Sequence, residues 1–600
     1  MLSFLALAVW TVDALMNLAA PSDPQLRPDG KRFAYVYRGD VYTADIDGVA
    51  AKVAHGSRPR WSPDSKLLAY LDGQAIQVAS RGAVTSSSGP VTVFAWSADS
   101  KAIVYLARDA GPDPDPVVDG NDARYSRLYL QVLGGGQPKL ISAQRRHVIS
   151  FALSPDMTRA VYAAQDTPRN RDTFHVDLYE TNLVTGTETR LVVQPGRDAD
   201  PSYSPDGTRI AFHSQGGSLN YFDARDIGIV PSGGGPIRYI TRDKPYDVFR
   251  NGNVFAWGPD SRRVLFTAGQ GVRDVVVEHD LHKGDSAVVA EMVSGAASFT
   301  PDLSRAVFAK ASPSRPVEIF LREGGRERQL TKLQQGVAGY PEMRSRALRW
   351  RSKDGTGIEG VLWLPFDFRA GAPVPLLTEL HGGPTGVALD AFPTPRVYPL
   401  QVFLQKGIAV FVPNFRGSSN YGAAFRLKNT LSQGVGDFDD VMTGIDQLVA
   451  QGIADPNRLG IMGWSYGGYL TASIVTQTKR FRAASIGAPA VDWITYYGQS
   501  DGPREVLWTY FGGTPWDVPG NYARHSPRSR LKEIRTPAML QVGAVDINHN
   551  AEIYQALTDL KVPVEYVVYP REGHGISEPA HIRDLMERNL RWFLRWLSVN

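Results

Sequence analysis

Residues 458–475 read RLGIMGWSYGGYLTASIV: a short apolar strand, a glycine-rich corner and the start of a helix. Ser465 stands on the corner, with Gly463 and Gly467 two residues away on either side. In G-x-S-x-G the serine occupies a sharp, strained strand-to-helix turn that leaves its Oγ clear of the backbone. With 58 glycines in 600 residues the pattern alone is weak, so the groups that a serine nucleophile needs must be found elsewhere. A hydroxyl requires a base at neutral pH, and the base requires a carboxylate to orient it. Behind such an elbow the chain order is Ser, acid, His, the last two on loops after later strands. AMLQVG (538–543) runs into AVDIN, placing Asp546 just past a strand end. VEYVVYP (564–570) runs into REGHGI, placing His574 between Gly573 and Gly575. The alternatives are an Asp546 that caps the helix AEIYQAL and a His574 that is one ordinary loop residue among eleven histidines. Asp439 and Asp440, ahead of the serine, are expected to cap or charge the first turn of their own helix.

Acyl transfer also needs donors for the developing oxyanion. The backbone N–H of Tyr466, directly after the serine, is one candidate. Gly383, in the loop ELHGGP (379–384) after the strand PLLTEL (375–380), is the other, a purely structural turn being the alternative. His381 lies in that loop and is expected to be structural rather than a base.

These residues must be carried by a fold. From about residue 340 the chain alternates β and α: two strands around an Asp-Gly turn within 347–365, then PLLTEL, IAVFVPN (408–414), a helix over 437–451, RLGIMG, AASIGAP (483–489), AMLQVG, VEYVVYP and a final helix over about 579–597. That alternation predicts a doubly wound, mostly parallel sheet with helices on both faces. Ser465, Asp546 and His574 then all fall at the carboxyl edge of its strands.

The first half repeats itself. RPDGKRFAYVY (27–37) recurs as SPDSKLLAYLD, SADSKAIVYLA, SPDMTRAVYAA, SPDGTRIAFHS, GPDSRRVLFTA and TPDLSRAVFAK. The turn aspartates are Asp29, Asp64, Asp99, Asp156, Asp206, Asp260 and Asp302, spaced by 35, 35, 57, 50, 54 and 42 residues. Each unit opens on a tight turn and continues as a strand ending on an aromatic such as Tyr35, Tyr70, Tyr105 or Phe212. Seven such units suit a seven-bladed β-propeller, one four-stranded blade per repeat, with an array of β-sandwiches as the alternative. The expected division is an N-terminal leader or helix over 1–20, the propeller over 21–338 and an α/β-hydrolase domain over 339–600.

Composition narrows the function. Six hundred residues exceed a single core. Sixty-five basic against 61 acidic residues, with no block of like charge, argue against a nucleic-acid partner. Cysteine is absent, which excludes disulfides, thiolate catalysis and cysteine-ligated metals. No H-E-x-x-H spacing, P-loop or dinucleotide fingerprint occurs, so neither metal nor cofactor is expected. No run of 18 apolar residues predicts a membrane span. The opening MLSFLALAVWTV has the apolar middle of a secretory signal but no basic residue before Arg27. It leans towards export, with a cytoplasmic location left open. A homo-oligomer is likewise left open.

Taken together, the repeats, HGGP, NFRGSSNYG (414–422), GIADPNRLGIMGWSYGGYLT, YFGGTPW (510–516), SPRSRLKEIRTPAMLQVG and YPREGHG resemble the prolyl oligopeptidase family of serine peptidases over essentially the whole chain. The bacterial branch of acylaminoacyl peptidases and dipeptidyl aminopeptidases is the most similar. The resemblance implies a propeller capping an α/β-hydrolase domain and an active site in the cavity between them. It implies Ser465, Asp546 and His574 as triad and the Gly383 and Tyr466 amides as oxyanion donors. It places Trp493 and Tyr496 as walls of the pocket for the residue before the cleaved bond. It places Asn548 where family members hold the next substrate carbonyl. Two features depart from the family. Val542 replaces the histidine that usually precedes Gly543, with no catalytic effect expected. The dipeptidyl peptidase branch grips a free substrate amine with adjacent propeller glutamates, and no Glu-Glu pair occurs in this chain. Isolated acids such as Asp223, Asp226 or Glu180 are the remaining stand-ins. The expected activity is therefore hydrolysis of short peptides through an acyl-enzyme, of acylaminoacyl peptidase or oligopeptidase type. The alternatives are a dipeptidyl aminopeptidase, an esterase on the same triad, and a non-catalytic propeller binding protein.

Overall fold

The computed structural model describes residues 8–598 except 85–88, 111–123, 143, 224, 243, 245, 249–254, 293–296, 338, 395–396, 501 and 547–549. Seven four-stranded antiparallel blades follow one another from Ser22 to Gln329. The fourth and fifth are joined by a short parallel pairing, His175 with Gly196 and Val176 with Arg197. Each repeat motif forms the turn between the first and second strands of its blade. There the aspartate Oδ1 accepts the amide two residues on, as in Asp29 with Lys31 at 2.9 Å and Asp206 with Thr208 at 3.0 Å. The residue after each aspartate is left-handed, and Met157 (φ 60°) and Leu303 (φ 61°) adopt this conformation as Gly30 and Gly207 do. Serine Oγ atoms in these turns reach the next blade: Ser65 accepts from the Asp29 amide and Ser100 from the Asp64 amide. The ring closes by packing, with Leu26, Phe33 and Tyr35 of the first blade against Val307, Ile319 and Leu321 of the last. Gly30 O also accepts from the Arg305 guanidinium at 2.9 Å.

The strands of the C-terminal domain are β1 (Arg344–Arg351), β2 (Gly357–Leu364), β3 (Val374–Leu380), β4 (Ala409–Asn414), β5 (Ala454–Trp464), β6 (Ala483–Gly487), β7 (Ala538–Gly543) and β8 (Val564–Tyr569). Their order across the sheet is β1-β2-β4-β3-β5-β6-β7-β8. The pairings of β1 with β2 and of β2 with β4 are antiparallel, and the rest are parallel. Successive strand residues serve opposite faces, as the two-residue period requires. Leu376, Phe411, Ile461 and Leu540 join one core, while Leu377, Val410, Met462 and Met539 join the other. Both layers are buried, which is why these strands read as continuous apolar runs.

The N-terminal segment forms only a short helix, α1 (Val12–Met16), capped by Thr11. It packs on the C-terminal domain: Trp10, Val12 and Leu15 share a core with Trp592 and Phe593 of the last helix, Pro579–Trp596. Residues 1–7 lie outside the described residues.

The helix after β4, α2 (Gly436–Ala450), corrects one expectation. Asp439 sits in its first turn, but Asp440 is turned inward and fully buried. Its Oδ1 and Oδ2 take Arg416 Nη2 at 2.7 Å and Nε at 2.9 Å, and Oδ2 also accepts the Arg416 amide at 2.8 Å. Position 440 precedes Val441 on the core-facing side of the helix, so its carboxylate pins the loop after β4 rather than the helix end.

Candidate active site

β5 ends at Trp464, and the chain turns directly into α3 (Tyr466–Val475). Ser465 holds φ 62° and ψ −124°, a conformation rare for a residue with a Cβ. The flanking glycines are required by contact. A Cβ on Gly463 would lie 2.3 Å from Gly467 O, and a Cβ on Gly467 would lie 1.9 Å from Leu380 O. The strained serine is thus wedged between its own helix and the end of β3.

His574 Nε2 lies 2.9 Å from Ser465 Oγ, and its Nδ1 lies 3.0 Å from Asp546 Oδ2. Asp546 follows β7 and His574 follows β8, so three strand ends converge on one hydrogen-bonded line. The Asp546 side chain is 2% exposed, whereas that of His574 is 51% exposed. With Nδ1–H donating to Asp546, Nε2 is left as the acceptor for the serine proton.

The loops bearing acid and base are tied together. The Val545 amide donates to Glu572 O at 3.0 Å, and Trp464 Nε1 donates to His574 O at 2.8 Å. The Glu572 carboxylate is buried and accepts from the Ser577 amide and hydroxyl, both at 2.9 Å, and from the Glu578 amide at 2.8 Å. His581 Nδ1 also meets it at 2.8 Å. Burial works to raise the Glu572 pKa, but these hydrogen bonds prevail and hold it down at about 2. It stays a carboxylate and stiffens the turn that carries His574.

On the other side of Ser465, Gly383 and Tyr466 line the same cavity as the serine and His574. Tyr466 is the first residue of α3, where an amide has no intrahelical acceptor. Gly383 has φ 119°, and a Cβ there would meet the Thr385 amide nitrogen at 2.3 Å. The Tyr466 ring is fixed from behind: its hydroxyl donates to Asp437 at 2.8 Å and accepts from Asn429 at 3.1 Å. Burial, the largest influence, pushes the Asp437 carboxyl up to about 7. His381 stacks on Phe415 with centroids 4.3 Å apart and meets Ser418 Oγ at 2.8 Å, so it shapes the loop and stands apart from the serine–histidine line.

The cavity in front of Ser465 has a volume of about 120 Å³. Trp493 and Tyr496, which the resemblance places in the substrate pocket, line it together with Tyr497, Leu507 and Tyr510. The last two come from the helix Arg504–Phe511; Tyr510 opens the motif YFGGTPW, whose role as a wall was not visible in the sequence, and Leu507 lies in no motif singled out there. Asn548 lies outside the described residues. Two of the acids considered as amine ligands are engaged elsewhere. Glu180 accepts from Tyr203 and Ser232, and Asp226 pairs with Arg242 and accepts from Thr241.

The propeller packs against the elements that form this cavity. The 11-residue loop between the second and third strands of blade five, residues 215–225, reaches the catalytic domain. The Tyr221 and Thr385 hydroxyls lie 2.7 Å apart, and Phe222 stacks on Tyr510 at 5.2 Å. Asp247, just before blade six, pairs with Arg426 of the catalytic domain, and both side chains are buried. Arg426 also donates to Phe222 O and Asp223 O at 3.2 and 2.7 Å. His175 meets Glu505 across the same seam at 3.2 Å. Two larger clefts, of about 980 and 850 Å³, contain none of Ser465, Asp546 and His574.

Residues 396–600 match the prolyl oligopeptidase family, and residues 79–342 match the TolB β-propeller domain. A Bacillus subtilis protein described as a peptidase is 28% identical over 319 residues, which are 50% of this chain and 46% of that one. Dipeptidyl-peptidase 5 of Porphyromonas gingivalis is 23% identical over 463 residues, 75% of this chain and 67% of its own length. The chain thus spans about half to two thirds of these relatives. The structure of an acylaminoacyl peptidase from Pyrococcus horikoshii superposes with a TM-score of 0.83 over 98% of both chains, at 22% identity, so the two share the whole two-domain fold.

Proposed function

We propose that this chain, whose catalytic domain belongs to the prolyl oligopeptidase family, is a serine peptidase that cleaves short peptides and tolerates a blocked amino terminus. The observation that carries this reading is the Asp546–His574–Ser465 line, with bonds of 3.0 and 2.9 Å, opening beneath the propeller. His574 Nε2 takes the proton as Ser465 Oγ attacks the carbonyl carbon, and Asp546 steadies the imidazolium. The oxyanion is received by the Gly383 and Tyr466 amides. His574 then returns the proton to the leaving amine. Water, deprotonated by the same nitrogen, attacks the acyl-enzyme and frees Ser465. The propeller limits access, so short peptides reach the serine and folded proteins do not.

A blocked amino terminus is favoured because no Asp or Glu lines the cavity among the described residues. A buried ammonium without a carboxylate is unfavourable. Acetylated and free-amine versions of one short chromogenic peptide test this reading. Their kcat/KM values are expected to agree within about tenfold, or 1.4 kcal/mol. A free-amine preference of about a thousandfold, near 4 kcal/mol, would restore a dipeptidyl peptidase.

A further inference from the structure

Ser418, Ser419 and Asn420 are consecutive in the loop after β4, and all three are buried. The first two hold the oxyanion loop. Ser418 Oγ lies 2.8 Å from His381 Nε2. The Ser419 hydroxyl donates to Thr385 O at 2.8 Å, and its amide donates to Gly386 O at 3.3 Å. The Gly386 amide in turn donates to Gly382 O at 3.1 Å, so Gly383 sits inside a closed turn whose exit Ser419 fixes. The third residue is held by the propeller. The Asn420 amide donates to Asp247 Oδ2 at 2.6 Å, and the Asn420 carbonyl accepts the Gly271 amide at 2.9 Å. Asn420 Nδ2 donates to Gly271 O at 3.0 Å and to Arg273 O at 3.4 Å. These partners lie where the blade-six strands Arg263–Gln270 and Arg273–Asp280 meet. Asn420 has φ 78°, a left-handed conformation that asparagine tolerates better than alanine. It does not line the cavity in front of Ser465. One peptide unit thus joins a residue fastened to the propeller to a residue fastened to the loop of Gly383.

We infer that Asn420 is a positioning residue: anchored by blade six, it fixes through Ser419 where the Gly383 amide stands. The inference rests on the peptidase reading above, in which that amide receives the oxyanion. Such a donor acts because it already points to where charge develops, and removing one outright costs about 10²–10³ in kcat. Loosening its loop costs less and is felt in the transition state rather than in the bound substrate. Tyr221 meets only the Thr385 hydroxyl, whereas Ser419 holds the backbone of the loop.

Asn420→Ala is expected to lower kcat on acetyl-Ala-Phe-p-nitroanilide by about tenfold or more, with KM within about threefold. Asn420→Gly keeps the left-handed backbone and its bonds and should recover most of that loss. Ser419→Ala leaves the propeller contacts in place and removes the bond to Thr385 O. It should lower kcat by about threefold or more in the same way, and it carries the test if Asn420→Ala does not fold. Acetyl-Phe trifluoromethyl ketone reads the oxyanion site itself. Ser465 Oγ adds to its carbonyl carbon, the Oγ proton passes to His574, and the carbonyl oxygen becomes the oxyanion. Its Ki should rise in each variant by the factor lost in kcat. The Ki of the corresponding alcohol, which forms no adduct, should stay within about threefold. Wild-type kcat in a folded Asn420→Ala or Ser419→Ala variant would overturn the inference. So would a loss confined to KM, or an equal weakening of ketone and alcohol. Failure of the wild type to cleave the peptide would instead sink the peptidase reading, and the ketone would still decide the role of Asn420.

Discussion

Replacing Asp247 with asparagine leaves a cation stranded at the seam between the domains. Arg426 is fully buried, and Asp247 supplies its only carboxylate among the described residues. The second oxygen of Asp247 accepts the Asn420 amide at 2.6 Å, so the substitution weakens a charge-assisted hydrogen bond as well. Arg225, carrying like charge nearby, adds repulsion that Asp247 now offsets. Breaking a buried pair in this way destabilises by about 3–5 kcal/mol. Two carbonyls, of Phe222 and Asp223, still receive the guanidinium, which argues for the lower half of that range, about 3–4 kcal/mol. The assay is urea unfolding by tryptophan fluorescence, read as a shift in midpoint at constant slope. Asp247→Asn combined with Arg426→Met supplies the control. Removing both charges should recover at least 2 kcal/mol relative to the sum of the single changes, as contacting residues are coupled. The kcat/KM for a short peptide should fall in the single variant, because Phe222 and Tyr221 ride on the same latch. A single variant within 1 kcal/mol of wild type, or strict additivity, would refute the claim that the domains are locked by a desolvated pair.

Other consequences are equally direct. Gly467→Ala should abolish hydrolysis or soluble expression, since its Cβ would sit 1.9 Å from Leu380 O, a backbone atom that cannot yield; full activity would show the elbow to be looser than described. Glu379, on β3, has its carboxyl pushed up to about 7 by burial, against an ordinary value of 4.5. The unfolded chain therefore loses this proton first, and stability falls as pH rises between those values. Glu379→Gln should raise the unfolding free energy at pH 8 by on the order of 1–3 kcal/mol, read from urea unfolding, and leave it nearly unchanged at pH 4. A gain of equal size at both pH values would contradict that cause. Glu572→Ala should lower kcat by roughly tenfold or more with little change in KM, because it releases the His574 turn without touching substrate; a KM effect alone would refute this positioning role.

Much of this arrangement was legible in the sequence because its signals are local. The Gly463, Ser465, Gly467 spacing reports an elbow whose strained turn is local, as in the Gly463 contact with Gly467 O, although Gly467 itself is required by Leu380 O on β3. The propeller turns announce themselves through aspartates that bond their own amides two residues on. The apolar runs of β3 to β7 follow from burial on both faces. Asp440 was misplaced because its position near a helix start fits a cap, whereas its direction is set by Arg416, 24 residues away. The Tyr221–Thr385 contact and the Asp247–Arg426 latch left no local trace, since each joins residues more than 160 positions apart. The long loop 215–225 was their single available hint.

The central claim is that Ser465 is the nucleophile of an acyl-transfer centre. Intact-mass spectrometry after exposure to a fluorophosphonate measures it directly. The wild-type chain should gain one adduct, mapped by digestion to Ser465, and lose all hydrolysis of an acetylated short peptide in step with labelling. Ser465→Ala, folded to the same melting temperature, should gain none. Labelling of that variant at the wild-type rate, or peptide hydrolysis that survives complete modification, would contradict the assignment.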